Sequence, residues 1–230
     1  MNETLFQAAT LIVPLILAIV FHEVAHGWTA RLLGDPTAAE QKRLSLNPLR
    51  HVDPIGTVIL PGLLALAQGP IFGWAKPVPV NKWRLRNPRY GMMLVAAAGP
   101  GINLVMAGIA AVLLGLVLAA YGDVAEPSLA ARFLAANLLN FLTVNIFLAL
   151  FNLLPIPPFD GSHIVEGLLP RSIAPQFAKL HKWGLLAMIL LIVVLPWLIP
   201  GFNPVGKLLM PPFEWLTGQY MGLAAGIAGA

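Results

Sequence analysis

Residues 22–26 read His22-Glu23-Val24-Ala25-His26. On a helix, residues four apart share a face one turn apart. Two imidazoles at that spacing can hold one zinc ion, with the glutamate between them reaching the water that the metal activates. That donor set belongs to metal-assisted hydrolysis. The surroundings add weight, because the motif interrupts an otherwise apolar stretch over residues 5–33. An ionisable side chain in such a stretch costs at least about 2.5 kcal/mol if nothing satisfies it, and those that occur usually serve a function. The plainer alternative is a buried, hydrogen-bonded polar cluster or a surface position at the helix end.

Catalytic zinc commonly takes three protein ligands and leaves one position open, so a third ligand is required. The chain has no cysteine. Thiolate sites and disulfides are excluded, and the ligand must be imidazole or carboxylate. The candidates are His51, His163, His181 and the acidic residues. Asp160 stands out, at the end of Asn152-Leu-Leu-Pro-Ile-Pro-Pro-Phe-Asp160-Gly161. The prolines stop a helix and bend the chain, and Gly161 permits close backbone approach. His163, three residues on, is the rival; its simpler reading is a polar loop residue.

The elements that must position these groups are membrane helices. Hydrophobic residues make up 58% of the chain, charged residues 10%, and the mean hydropathy is +0.79. Soluble domains carry about a quarter charged residues. The pI of about 9.7 then points to basic membrane-flanking loops rather than to nucleic acid. Four stretches have the roughly 20 apolar residues a crossing needs: 5–33, 90–121, 129–154 and 183–199. The predicted fold is an all-α polytopic membrane protein with about four full spans. A broken apolar segment, 55–72, is expected to be re-entrant or a short span. A proline-rich segment, 73–81, is expected to be extended, either as an edge for a peptide strand or as a structural loop. Residues 1–200 form the expected membrane domain. Residues 201–230 form a tail with an amphipathic helix around 207–215. The first apolar stretch is too long, and lacks the basic flank, for a removable signal peptide.

Charge sets the expected topology. With the loop after the first span in the cytoplasm and 55–72 not crossing, twelve of the fourteen basic residues share one side; Arg132 and Lys207 fall outside it. The positive-inside rule favours this arrangement. It puts the end of the third span, with Asp160, on the same side as the His22–His26 end of the first. Asn103, Asn137, Asn140 and Asn145 read as hydrogen-bonding glue between helices.

Three segments carry a family resemblance: FHEVAHGW at 21–28, AAAGPGINL at 96–104 and NLLPIPPFDG at 152–161. With LNPLRHVDPIGT and GWAKPVPVN between them, they resemble the site-2 proteases, the intramembrane zinc peptidases of family M50, in their compact prokaryotic form. The likeness runs from about residue 5 to 170. It implies one zinc ion per chain held by His22, His26 and Asp160, with Glu23 as general base and acid. It also implies that Asn152 lies near the active site, where its amide would stabilise an oxyanion; a helix–helix hydrogen bond is the competing role. Neither a PDZ module between the spans nor a nucleotide-binding domain at the C-terminus, as larger relatives carry, is expected. Implied substrates are single-span membrane proteins or remnant signal peptides, cut in the cell membrane towards its cytoplasmic side. The competing readings are an ion transporter with an intramembrane His/acid relay, and an inactive, protease-like chaperone.

Overall fold

The computed structural model describes residues 3–59, 62, 63, 66, 73–121, 127–199 and 201–229. These residues are helical with irregular connections, and no strand occurs among them. The α-helices are α1 (Glu3–Leu32), α2 (Thr37–Glu40), α3 (Pro88–Tyr121), α4 (Leu129–Asn152), α5 (Asp160–Leu168), α6 (Ala174–Ala178), α7 (Gly184–Ile189), α8 (Leu195–Leu198) and α9 (Pro204–Ala228). Among the described residues, four stretches are long and apolar enough to cross a membrane: Leu5–Leu32, Pro88–Tyr121, Leu129–Asn152 and Ala174–Leu198. The protein is an all-α polytopic membrane protein.

Local chemistry sets the helix ends. Pro88 opens α3, and the Asn87 side chain accepts a hydrogen bond from the Tyr90 N–H, as an N-cap does. Ser128 caps α4 through the Ala131 N–H. Prolines 155, 157 and 158 follow α4 closely and cannot continue it. The fourth span begins nine residues earlier than the sequence indicates. Lys179, His181 and Lys182 made 174–182 look like a loop, yet the backbone winds through α6, a 3-10 turn (Lys179–Trp183), α7, a π-helical turn (Leu190–Val194) and α8. Long basic side chains at a span end can reach the headgroups. Of the 55–72 segment, Pro54–Ile59 form a π-helical turn, and most of the remainder lies outside the described residues. Residues 73–81 form neither helix nor strand, and Asn81 at their end has extended backbone (φ −102°, ψ 98°).

The chain forms two compact units. The first comprises Met1–Ala18, Pro100–Asn152 and Gly206–Ala230. Its core is Ala107, Ala110, Ala111, Leu142 and Ile146, packed with Phe141, Phe213 and Tyr220. Small residues let helices approach closely where lipid supplies no hydrophobic drive. A Cβ at Gly115 would sit 2.6 Å from the Ala224 carbonyl oxygen. Buried amides add hydrogen bonds. Asn103 Nδ2 donates to Asn145 Oδ1 (2.7 Å) and to the Ala18 carbonyl (3.3 Å). Asn140 Nδ2 donates to the Thr10 carbonyl, and the Tyr220 hydroxyl to that of Leu104, each at 3.0 Å. Bonds of this kind contribute on the order of 1 kcal/mol each in a membrane bundle. Asn137 differs from the expected glue, since its amide bonds the Phe133 carbonyl of its own helix. The extent of α9 was hidden by its two internal prolines and its Gly/Ala-rich end; Tyr220 and Ala224 pack against α3 and hold it.

The second unit comprises Ile19–Gly99 and Leu153–Val205. Ala30, Leu85 and Val95 form a small core with Leu33, Val80 and Met92. Asp35 is fully buried and binds the Thr37 N–H and hydroxyl and the Asn81 N–H. It thereby ties the end of α1 to the end of the extended segment. Lys76 N–H bonds the His51 carbonyl, and Arg43 bonds the Lys76 carbonyl. Four exposed aromatic residues each carry a neighbouring cation over the ring: Trp28 with Arg31, Trp83 with Lys82, Tyr90 with Arg89 and Trp183 with Lys182. Such amphipathic pairs suit the headgroup level of a bilayer.

Candidate metal centre

Helix α1 presents His22 and His26 on one face, both buried. Their Nε2 atoms are 3.0 Å apart. The turn after α4 brings Asp160, the first residue of α5, to the same point. Its Oδ2 lies 3.1 Å from His22 Nε2 and 3.3 Å from His26 Nε2. This approach depends on Gly161, where a Cβ would lie 2.3 Å from the Leu153 carbonyl oxygen. Two imidazole nitrogens and one carboxylate oxygen therefore converge as a triangle of lone pairs.

The triangle fits a divalent metal. Ligands bonded at about 2.0–2.1 Å to a tetrahedral zinc stand about 3.3–3.4 Å apart, close to the three separations seen here. Asp160 Oδ2 is buried without a hydrogen bond of good geometry, an arrangement that is costly unless another partner takes the oxygen. Burial alone would push the Asp160 carboxyl up; the His22 and His26 imidazoles beside it outweigh burial and hold it below the usual carboxylate range.

Two features of α3 shape the centre. His26 Nδ1–H donates to the Val95 carbonyl at 2.7 Å, which fixes the tautomer that leaves Nε2 free to bind a metal. One turn further on, a Cβ at Gly99 would lie 2.5 Å from His26 Cε1 and Nε2 and 2.6 Å from His22 Cε1. Only glycine leaves room for both rings. Sequence reasoning missed both contributions. Val95 acts through its backbone, so no side chain could signal it. Gly99 left a trace in the Gly99-Pro100-Gly101 run inside an apolar helix.

Glu23 points to the extended segment, its Oε2 accepting a hydrogen bond from the Val78 N–H at 2.7 Å. Gly27 makes room for that segment, because a Cβ there would meet Leu44 Cδ2 at 2.4 Å and Val78 Cγ1 at 2.9 Å.

His51 and His163 turn to other partners. His51 Nε2–H donates to the Ser45 carbonyl at 2.8 Å. His163 faces Glu166 and His181 rather than the triangle. Asn152 closes α4, with Nδ2 donating to the Leu148 carbonyl of the same helix at 2.9 Å.

Four apolar spans and an imidazole–carboxylate triangle define a helical membrane protein with a candidate metal centre. The family model described as Peptidase family M50 matches residues 116–195, a stretch that includes Asp160. Two similar proteins carry the name "Putative zinc metalloprotease". YwhC of Bacillus subtilis is 38% identical over 187 residues, covering 80% of each chain. Rip2 of Mycolicibacterium smegmatis is 30% identical over 178 residues, covering 77% of this chain and 64% of that relative. No solved structure matches significantly. The chain belongs to peptidase family M50, whose members use zinc.

Proposed function

We propose that the protein is an intramembrane endopeptidase that hydrolyses peptide bonds in the transmembrane segments of membrane-anchored proteins. The observation that carries this reading is the convergence of His22 Nε2, His26 Nε2 and Asp160 Oδ2 from two elements of one unit. These three atoms would hold one zinc ion at this centre. Bound there, zinc lowers the pKa of water towards about 7 and polarises a carbonyl.

The chain's own groups do the rest. Glu23, adjacent in sequence to His22, takes the proton of the attacking water and returns it to the leaving amine. The Val78 N–H holds the Glu23 carboxylate in one orientation. Val95 and Gly99 fix and admit the imidazoles. The family resemblance implies an oxyanion-stabilising role for the Asn152 side-chain amide, which would have to leave the Leu148 carbonyl that it bonds here.

The substrate must be extended where it is cut, because a helix hides its carbonyls. The 73–81 segment supports that need as an edge for a peptide strand. The basic loops of this unit support a site towards the cytoplasmic face of the cell membrane. Single-span proteins and remnant signal peptides are the substrate classes this fits.

Comparison of membrane proteomes between cells carrying wild type and Glu23→Gln tests the reading. Single-span proteins or signal-peptide remnants should accumulate with the variant. Identical proteomes, together with full peptide hydrolysis by the purified variant, would overturn it and favour a scaffold.

A further inference from the structure

A second set of metal-ligating side chains converges away from the first. Helix α5 carries His163 and Glu166 three residues apart, on one face. The 3-10 turn Lys179–Trp183 supplies His181. His181 Nε2 lies 3.3 Å, and His163 Nδ1 3.8 Å, from Glu166 Oε2. All three donor atoms are within 4.8 Å of one another. The two imidazoles are 4.4 Å apart between centroids and tilted by 33°, and Phe177 walls His181 edge-on at 6.3 Å.

An ion pair alone explains this cluster poorly. His181 Nε2 is buried, and its approach to Glu166 lacks hydrogen-bond geometry. A neutral imidazole is the form that donates a lone pair to a metal. The separations of 3.3 and 3.8 Å are near the roughly 3.4 Å edge of a tetrahedral zinc site. Two nitrogens and one oxygen select zinc over magnesium or calcium, which prefer all-oxygen shells. The Oδ2 atom of Asp160 faces His22 and His26 instead.

We infer that His163, Glu166 and His181 form a second zinc site, with its remaining position open to water. The site bridges α5, which begins at Asp160, to the start of the 174–198 span. Bound metal there steadies the element that delivers Asp160 to the first centre.

Metal content of the detergent-purified, full-length protein tests this. After zinc loading and dialysis, wild type should retain two zinc ions per chain and the His163→Ala/His181→Ala variant one. The His22→Ala/His26→Ala variant should also retain one, so the second site is read without relying on the first. Cobalt loaded into that last variant should give visible d–d absorption that disappears when His181→Ala is added. One zinc in wild type, or a metal-free and cobalt-silent His22→Ala/His26→Ala protein that still elutes monodisperse, would overturn the inference. Glu166→Gln should lower the retained zinc by one equivalent without removing either histidine; unchanged content would count against the site.

Discussion

The Glu23 carboxylate and the Val78 backbone N–H form a 2.7 Å hydrogen bond across 55 residues of sequence. The group assigned to proton transfer is thus also the anchor of the extended 73–81 segment. Val78→Pro removes that donor and also replaces the buried Val78 side chain beside Gly27. Cleavage of a transmembrane substrate is expected to fall about tenfold or more, as the base loses its fixed orientation, with zinc content unchanged. Full activity in Val78→Pro would detach the segment from the chemistry.

Glu23→Gln keeps size and polarity but cannot accept the proton. Hydrolysis should drop by about 10²–10⁴-fold, the usual contribution of a general acid–base. Zinc measured by plasma mass spectrometry should stay at the wild-type level. Coincident loss of zinc would make Glu23 a ligand instead.

Gly99→Ala forces a methyl group to within 2.5 Å of the His26 ring. Overpacking of this kind costs about 1–3 kcal/mol. Thermal unfolding in detergent should shift down, and zinc should dissociate faster, because His22 and His26 cannot both hold their places. Gly101→Ala is the control, since a Cβ there meets nothing within 4 Å; it should behave as wild type.

Asp35 gives a pH prediction outside the spans. Burial alone would raise its pKa, but hydrogen bonds from Thr37 and Asn81 outweigh burial and lower it below the ordinary 3.8. A carboxyl whose folded pKa is depressed adds stability at every pH above its unfolded value. That stability is lost as pH falls through the folded value. Asp35→Asn should therefore destabilise the protein by about 1–3 kcal/mol at neutral pH, and the difference from wild type should shrink below about pH 4. A constant difference down to pH 2 would show that the charge is not what matters.

Much of this was legible in the sequence, for identifiable reasons. His22 and His26 announce themselves because polar groups four apart are conspicuous in an apolar helix. Asp160 follows from prolines that stop one helix and a glycine that allows the return. The spans follow from length and hydropathy, and Asn103 and Asn145 from the cost of leaving amides unpaired in lipid. What could not be read acts through backbone or through absence. The Val95 carbonyl and the Val78 N–H carry no side-chain signature. The start of the fourth span was obscured because Lys179, His181 and Lys182 look like a loop until their neighbours are known. The His163–Glu166–His181 cluster was hidden for the same reason: its two histidines are 18 residues apart and belong to different elements.

Gly99 and the Val95 carbonyl lie on α3, not on the helix that bears the histidines. The five-residue motif is therefore not portable. Grafted onto another bundle, His22-Glu23-Val24-Ala25-His26 would meet an ordinary helix surface, whose side chains would fill the volume the imidazoles need and whose carbonyls would not select their tautomer. Anyone transplanting this centre would have to move the facing helix with it, at the same register.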